Sequence, residues 1–141
     1  MNRAWHRLEP WPDVRQGLVS LKRRFIVGPL SNANVGLLVR MAKHAALPWD
    51  VILSAETAGA YKPQPEAYVR SAGILNLKPG QVMLVAAHNS DLAAAATAGL
   101  ATAFVVRPTE YGPSQVKDKA ASGPWTVVAD DFQALASALG C

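Results

Sequence analysis

Three short polar clusters hold the side chains of this sequence that could do chemistry. Leu30-Ser31-Asn32 offers a hydroxyl and an amide, Tyr61-Lys62-Pro63-Gln64-Pro65-Glu66-Ala67-Tyr68 an ammonium, and Ala86-Ala87-His88-Asn89-Ser90-Asp91 an imidazole, an amide and a carboxylate. Each adjoins a short apolar run that reads as a strand, so the three converge on one end of a sheet. In open parallel α/β sheets that end is where loops and helix N-termini present donors to one crevice. Ser31 and Asn32 can donate hydrogen bonds to an anion there, although the same pair also suits a turn or a helix cap. Lys62 can hold a carboxylate nucleophile ionised and oriented by opposite charge; alone, it reads as readily as a solvated turn lysine. His88 to Asp91 also matches a helix start with competing caps. Spacing favours the chemical reading: Lys62 lies 31 positions after Ser31, and Asp91 a further 29 after Lys62. One helix and one strand fit in each interval, and three unrelated caps at successive strand ends would be a coincidence. The floor lacks one part, because no aspartate sits at a strand tip with a small hydroxyl residue close behind it.

The elements that must position these clusters follow from periodicity. Pro12 and Asp13 start a helix with Val14, Leu18 and Leu21 on one face, and the strand Phe25 to Leu30 follows, with residues 31–34 as the turn. Val35, Leu38, Val39, Ala42 and Ala45 form the inner face of the next helix, which ends at Leu47-Pro48-Trp49. Val51 to Ser54 is a short buried strand. A helix opening near Pro63 and Pro65 turns Ala67, Tyr68, Ala72 and Leu75 inward, and Lys78-Pro79-Gly80 leads into the strand Val82 to Ala86. An Ala-rich helix from Asp91 to Ala98 is capped by Gly99. The strand Ala103 to Val106, a Pro/Gly-containing loop over 107–124, an edge strand Thr126 to Val128 and a helix Phe132 to Leu139 complete the chain. The strands are continuous apolar runs without alternation, which argues for a parallel sheet covered by helices on both faces.

Composition bounds the class. With 141 residues, half of them hydrophobic, the chain has enough apolar surface for one domain with its own core. Its apolar runs fall well short of the roughly 20 residues of a membrane span, and the first residues lack the apolar centre of a signal peptide, so the expectation is a cytoplasmic protein with no membrane partner. Cys141 alone gives neither a disulfide nor a cysteine-based zinc site, and at the C-terminus it is expected to fray. The net charge of +4 invites a nucleic-acid reading. The only dense basic cluster, Lys22-Arg23-Arg24, falls at a helix end, where cations complement the helix dipole, and no aromatic-plus-basic stripe accompanies it. No nucleic-acid partner is expected.

Taken together, the phrases Pro29-Leu-Ser-Asn-Ala-Asn34, Ala42-Lys-His-Ala45 with Leu47-Pro-Trp-Asp50, Tyr61-Lys-Pro63, and Val85-Ala-Ala-His-Asn89 before Asp91-Leu-Ala-Ala94 make the chain resemble the haloacid dehalogenase superfamily, in its type II branch of (S)-2-haloacid dehalogenases. The resemblance runs from about Ala4 to Gly140. It implies an α/β, Rossmann-like core over residues 13–141, with residues 1–12 as the last part of a mostly absent helical cap and its linker. It also implies a hydrolase on 2-haloalkanoic acids, working through an aspartyl ester without a cofactor or metal. By motif, Ser31 and Asn32 would bind the substrate carboxylate, with Tyr68 packing at the site. Lys62 would orient the nucleophile, Asp91 would hold Lys62 or position water, and His88 and Asn89 would line the pocket.

The sequence departs from that family at its first motif, a strand ending in the nucleophilic aspartate. Asp13 starts a helix, Asp50 precedes a strand, and Asp130 and Asp131 start the last helix. The strand that carries this motif belongs centrally, between those of Phe25 to Leu30 and Val82 to Ala86, so two apolar edges should stand open. The first reading is therefore the C-terminal portion of such a hydrolase, inactive by itself because the covalent step lacks its nucleophile. The alternative is a non-catalytic module that binds anions or pairs its open edge with another chain. A receiver-like signalling domain ranks below both, for want of an acceptor aspartate. A homodimer is compatible with either leading reading.

Overall fold

The computed structural model describes residues 4–141. A 3-10 turn, Ala4–Arg7, precedes helix α1 (Val14–Lys22), whose Leu18 and Leu21 are buried. Strand β1 (Leu30–Ser31) leads through Asn34, whose Oδ1 accepts from the Leu37 N–H at 2.7 Å, into α2 (Val35–Ala45). Strand β2 (Leu53–Ser54) passes directly into a single-turn helix, α3 (Ala55–Ala58), closed by a capping box between Ser54 and Thr57. Four residues are too few to show periodicity, and the sequence reading had no helix there. Helix α4 (Pro65–Ile74) follows, with Ala67, Tyr68 and Ala72 buried as expected, then β3 (Met83–Ala86), α5 (Asn89–Thr97), β4 (Ala101–Val105), β5 (Val127–Ala129) and α6 (Phe132–Ala138).

Every strand pair is parallel, and helices cover both faces. The strands form two sheets, β1-β2 and β3-β4-β5. One core layer gathers Leu21, Val27, Val105, Leu135 and Ala136; the other gathers Tyr68, Leu84, Leu92, Leu100 and Phe104. Val27 belongs to the first layer and Leu30 packs on the second, so the strand ending in β1 shares both layers with the larger sheet although it does not pair with it. The break between the sheets is where the sequence left two edges open.

Three expectations need correction. The ladder of the first strand is confined to Leu30 and Ser31, with upstream bonds only from the Asp50 N–H to the Val27 carbonyl (2.8 Å) and the Leu53 N–H to the Pro29 carbonyl (3.1 Å). A strand with one neighbour, carrying a proline that cannot donate, makes few ladder bonds. Val39 is 39% exposed, because only part of α2 is covered and its buried residues are Leu38 and Ala45. Cys141 does not fray: its N–H donates to the Ala136 carbonyl at 2.9 Å, and the residue packs against the Leu21 layer.

Two glycines permit close approach. A Cβ at Gly17 would collide with the backbone and Cβ of Phe132, where α1 crosses α6, and one at Gly28 would stand 2.5 Å from the Val51 carbonyl oxygen. Asp13 fastens the same region, with its Oδ2 accepting from Arg107 Nη2 at 2.7 Å and from the Phe132 N–H at 2.9 Å. Burial raises the Asp13 pKa, but these donors outweigh it and hold the carboxyl below its ordinary range. The basic cluster is structural in part: Lys22 pairs with Asp50 at 2.5 Å, and Arg24 donates to the Leu139 and Gly140 carbonyls at the end of α6. Within the 1–12 segment, residues 1–3 lie outside the described residues. Trp5 and Leu8 are exposed, while Glu9 reaches His44 of α2 at 2.8 Å.

Candidate active site

The three polar clusters do meet. Parallel strands put the ends of β1, β2 and β3 on one side, and the side chain of Asn32, just past β1, reaches the peptide of Lys62. Asn32 Oδ1 accepts from the Lys62 N–H at 2.8 Å, and Asn32 Nδ2 donates to the Lys62 carbonyl at 3.0 Å. Held there by both its amide functions, Asn32 fixes the lysine backbone, whereas the sequence reading had it donating to an anion. The adjacent Lys62–Pro63 peptide is cis. Ser31 Oγ accepts from the Ala33 N–H at 3.1 Å, which leaves the hydroxyl hydrogen free to donate.

Lys62 Nζ donates to Asp91 Oδ2 at 2.5 Å, with the two side chains only 19% and 17% exposed. The Tyr68 hydroxyl donates to Asp91 Oδ1 at 2.6 Å. Asp91 is thus occupied on both oxygens, by a cation and by a phenol. Tyr68 itself is fully buried, and burial, then the bond to Asp91 and the charge of that carboxylate, raise its pKa so that the hydroxyl stays a proton donor. Chemically the triad is a fixed ammonium with two remaining N–H donors aimed by a carboxylate that tyrosine in turn holds. Lys62 and Tyr68 also line the cavity between the two sheets.

His88 and Asn89 go elsewhere. His88 Nε2 meets Glu110 Oε2 at 3.0 Å and the Tyr111 hydroxyl at 3.1 Å, and its ring stacks on Tyr111 at 6.0 Å. Asn89 has its whole amide on the following loop: Nδ2 donates to Asp118 Oδ1 (2.9 Å) and the Ala120 carbonyl (3.0 Å), while Oδ1 accepts from the Ser122 N–H and Trp125 Nε1 (2.9 Å each). Its side chain clamps the loop over 107–124, in place of the pocket-lining position the sequence suggested. The residues that sequence reasoning missed, Glu110, Tyr111, Asp118 and Trp125, all belong to or border that loop. The available signal was its length, beyond the roughly 12 to 15 residues of most structureless connections. Among the described residues, no three His, Cys, Asp or Glu side chains gather as a metal site, and no helix is long and apolar enough to cross a membrane.

A lysine in the turn between α3 and α4, held by a carboxylate in the first turn of α5, in a parallel α/β core, fits the class of hydrolase to which the comparisons point. The family model for haloacid dehalogenase-like hydrolases matches residues 1–99. The chain belongs to the haloacid dehalogenase-like hydrolases. It is 31% identical over 111 residues to an (S)-2-haloacid dehalogenase of Xanthobacter autotrophicus, a match covering 76% of this chain and 43% of that protein. Among solved structures, a defluorinating L-2-haloacid dehalogenase superposes with a TM-score of 0.96 at 53% identity, covering 99% of this chain and 57% of the other. A second L-2-haloacid dehalogenase gives 0.94 at 48% identity, covering 96% and 58%. The chain therefore spans about half the length of these relatives.

Proposed function

We propose that this chain carries the lysine-bearing, acid-binding part of a site for hydrolytic dehalogenation of (S)-2-haloalkanoic acids. The observation that supports it best is the Lys62 ammonium fixed by Asp91 and Tyr68 beside the Ser31 turn, in a chain similar to proteins named as dehalogenases. In this reading the Ser31 hydroxyl and neighbouring N–H groups take the substrate carboxylate. Lys62 aims an attacking carboxylate at C2, a carbon–oxygen bond forms as the carbon–halogen bond breaks, and halide leaves with the electron pair. Water then adds to the ester carbonyl and releases the 2-hydroxy acid, restoring the carboxylate. Asn32 and Tyr68 act as positioning residues, while His88 and Asn89 hold the loop over 107–124 rather than the reacting groups.

The attacking carboxylate is the part this sequence does not supply. Asp13, Asp50, Asp118 and Asp131 hold structural partners, Asp91 is bound to Lys62 and Tyr68, and Asp130 is exposed beside the edge strand. The same reading assigns a cytoplasmic location, no nucleic-acid partner, and residues 1–12 to the end of a cap and linker. Halide release from (S)-2-chloropropionate tests the chemistry. The 141-residue chain should release none, and a version joined to an upstream strand ending in aspartate should release chloride in a manner abolished by Lys62→Met. Chloride release that survives Lys62→Met would refute the role of the lysine.

A further inference from the structure

Helix α5 begins without a cap of its own. His88, at its cap position, makes no side-chain bond to the helix and turns its ring to Glu110 and Tyr111. Asn89 has its amide on the loop over 107–124, and Asp91, the acid of the first turn, has both oxygens on Lys62 and Tyr68. The first turn of a helix carries unpaired N–H groups and a partial positive charge, so a polar or acidic neighbour normally answers it. Here the neighbour comes from 29 positions downstream. Asp118 Oδ1 accepts from the Asn89 N–H at 3.1 Å and from Asn89 Nδ2 at 2.9 Å.

Asp118 is held there against its own preferences. Its φ of 54° is left-handed, a conformation that a residue with a Cβ adopts rarely. Its Oδ2 is buried and accepts no hydrogen bond, a costly state for a carboxylate oxygen. Burial raises its pKa, but the two Asn89 donors, with Lys117 and His88 near by, outweigh it and keep the carboxyl below its ordinary range, so the charge is present at neutral pH. Buried Gln115 fixes the chain around it: its Nε2 donates to the Arg107 carbonyl at 3.0 Å and the Lys117 carbonyl at 2.8 Å, and its Oε1 accepts from the Tyr111 N–H at 3.0 Å. The loop thus brings one ionised carboxylate to the start of α5 and keeps it there.

We propose that Asp118 is a positioning residue for the lysine site: by supplying the negative charge at the start of α5, it leaves the Asp91 carboxylate to Lys62 and Tyr68. The inference rests on the reading of Lys62 and Asp91 as parts of a site. A carboxylate in the first turn of a helix is itself drawn to the free N–H groups beside it. Asp91 stands in that place, in the same turn as the N–H that Asp118 takes. Without Asp118 it becomes the acid nearest the helix end, and its oxygens divide between the helix and Lys62. Asp118 bonds neither Lys62 nor Tyr68 and acts through that one turn of helix.

The NMR scalar coupling across the Lys62–Asp91 hydrogen bond, between Nζ and the Asp91 carboxyl carbon, reads the pair directly in the 141-residue chain. In Asp118→Ala this coupling should fall by about twofold or more, because it depends steeply on hydrogen-bond geometry. Asp118→Asn keeps an acceptor for the Asn89 N–H but loses the charge, and it should show the same fall; it carries the test where the alanine variant does not fold. Asp13→Asn weakens the tie to Arg107 at the root of the loop without touching α5, and it should leave the coupling unchanged, which separates positioning from a general loss of stability. An unchanged coupling in either folded Asp118 variant, or an equal fall in Asp13→Asn, would overturn the proposal. The coupling needs no turnover, so a chain whose coupling responds to Asp118 while its strand-completed version releases no chloride supports this inference and removes only the dehalogenation reading.

Discussion

Replacing Tyr68 with phenylalanine removes one oxygen from a fully buried ring and leaves its packing unchanged. The lost interaction is the 2.6 Å donation to Asp91 Oδ1. A hydrogen bond to a charged acceptor contributes roughly 1.5–3 kcal/mol, and its removal also strands a carboxylate oxygen with little access to water. For a domain of this size that is a fall of roughly 5–12 °C in Tm. The pH dependence carries a separate signature. The folded pKa of Tyr68 lies above the ordinary phenol value of 10.0, so both states keep the proton below about pH 10 and the hydroxyl contributes fully there. Above it the unfolded phenol ionises first, the folded state binds more protons, and stability falls by up to about 1.4 kcal/mol per pH unit. Tyr68→Phe has no such loss, so the gap between wild type and variant should be widest near pH 8 and should narrow by about 1.4 kcal/mol by pH 11. Urea unfolding at several pH values, followed by circular dichroism, measures both. A gap under about 0.5 kcal/mol at pH 8, below the range for such a bond, or one constant to pH 11, would refute the reasoning.

Further outcomes follow from other contacts. Asp13→Asn should destabilise the chain by about 2–4 kcal/mol at pH 7 by weakening the tie to Arg107 and Phe132. Because the folded pKa of Asp13 is depressed, its contribution is present above the unfolded value near 3.8 and lost as pH falls through the folded one, so the acid limbs of the two unfolding profiles should converge as pH falls below 3.8. Asn89→Ala removes the loop clamp; at about 1 kcal/mol per lost bond, tryptic cleavage after Lys117 and Lys119 should quicken at least tenfold, read by mass spectrometry. Gly28→Ala places a methyl 2.5 Å from the Val51 carbonyl and should cost about 1–3 kcal/mol in a denaturant titration, with loss of the Lys62 geometry as β1 shifts.

Much of the fold was legible because local chemistry dictates it. Proline and asparagine at helix starts, Gly99 with its φ of 90°, and uninterrupted apolar runs fix where elements begin and that their sheets are parallel, and the spacing of Ser31, Lys62 and Asp91 points to one end of the sheet for all three, although Lys62 sits past β2 in the turn before α4. Even the break in the sheet could be expected from the sequence, since it contains no further apolar strand to put there. What each polar atom does was decided only by tertiary structure. Asn32 and Asn89 are the same residue type at comparable strand-end positions, yet one grips the Lys62 peptide and the other a loop many residues downstream. An amide satisfies its donors and acceptors with whatever backbone the fold brings near, and neither the identity nor the distance of that partner is written in the local sequence. The same holds for Glu110 beside His88 and for Asp13, which sits at a helix start but bonds Arg107 and Phe132 far along the chain.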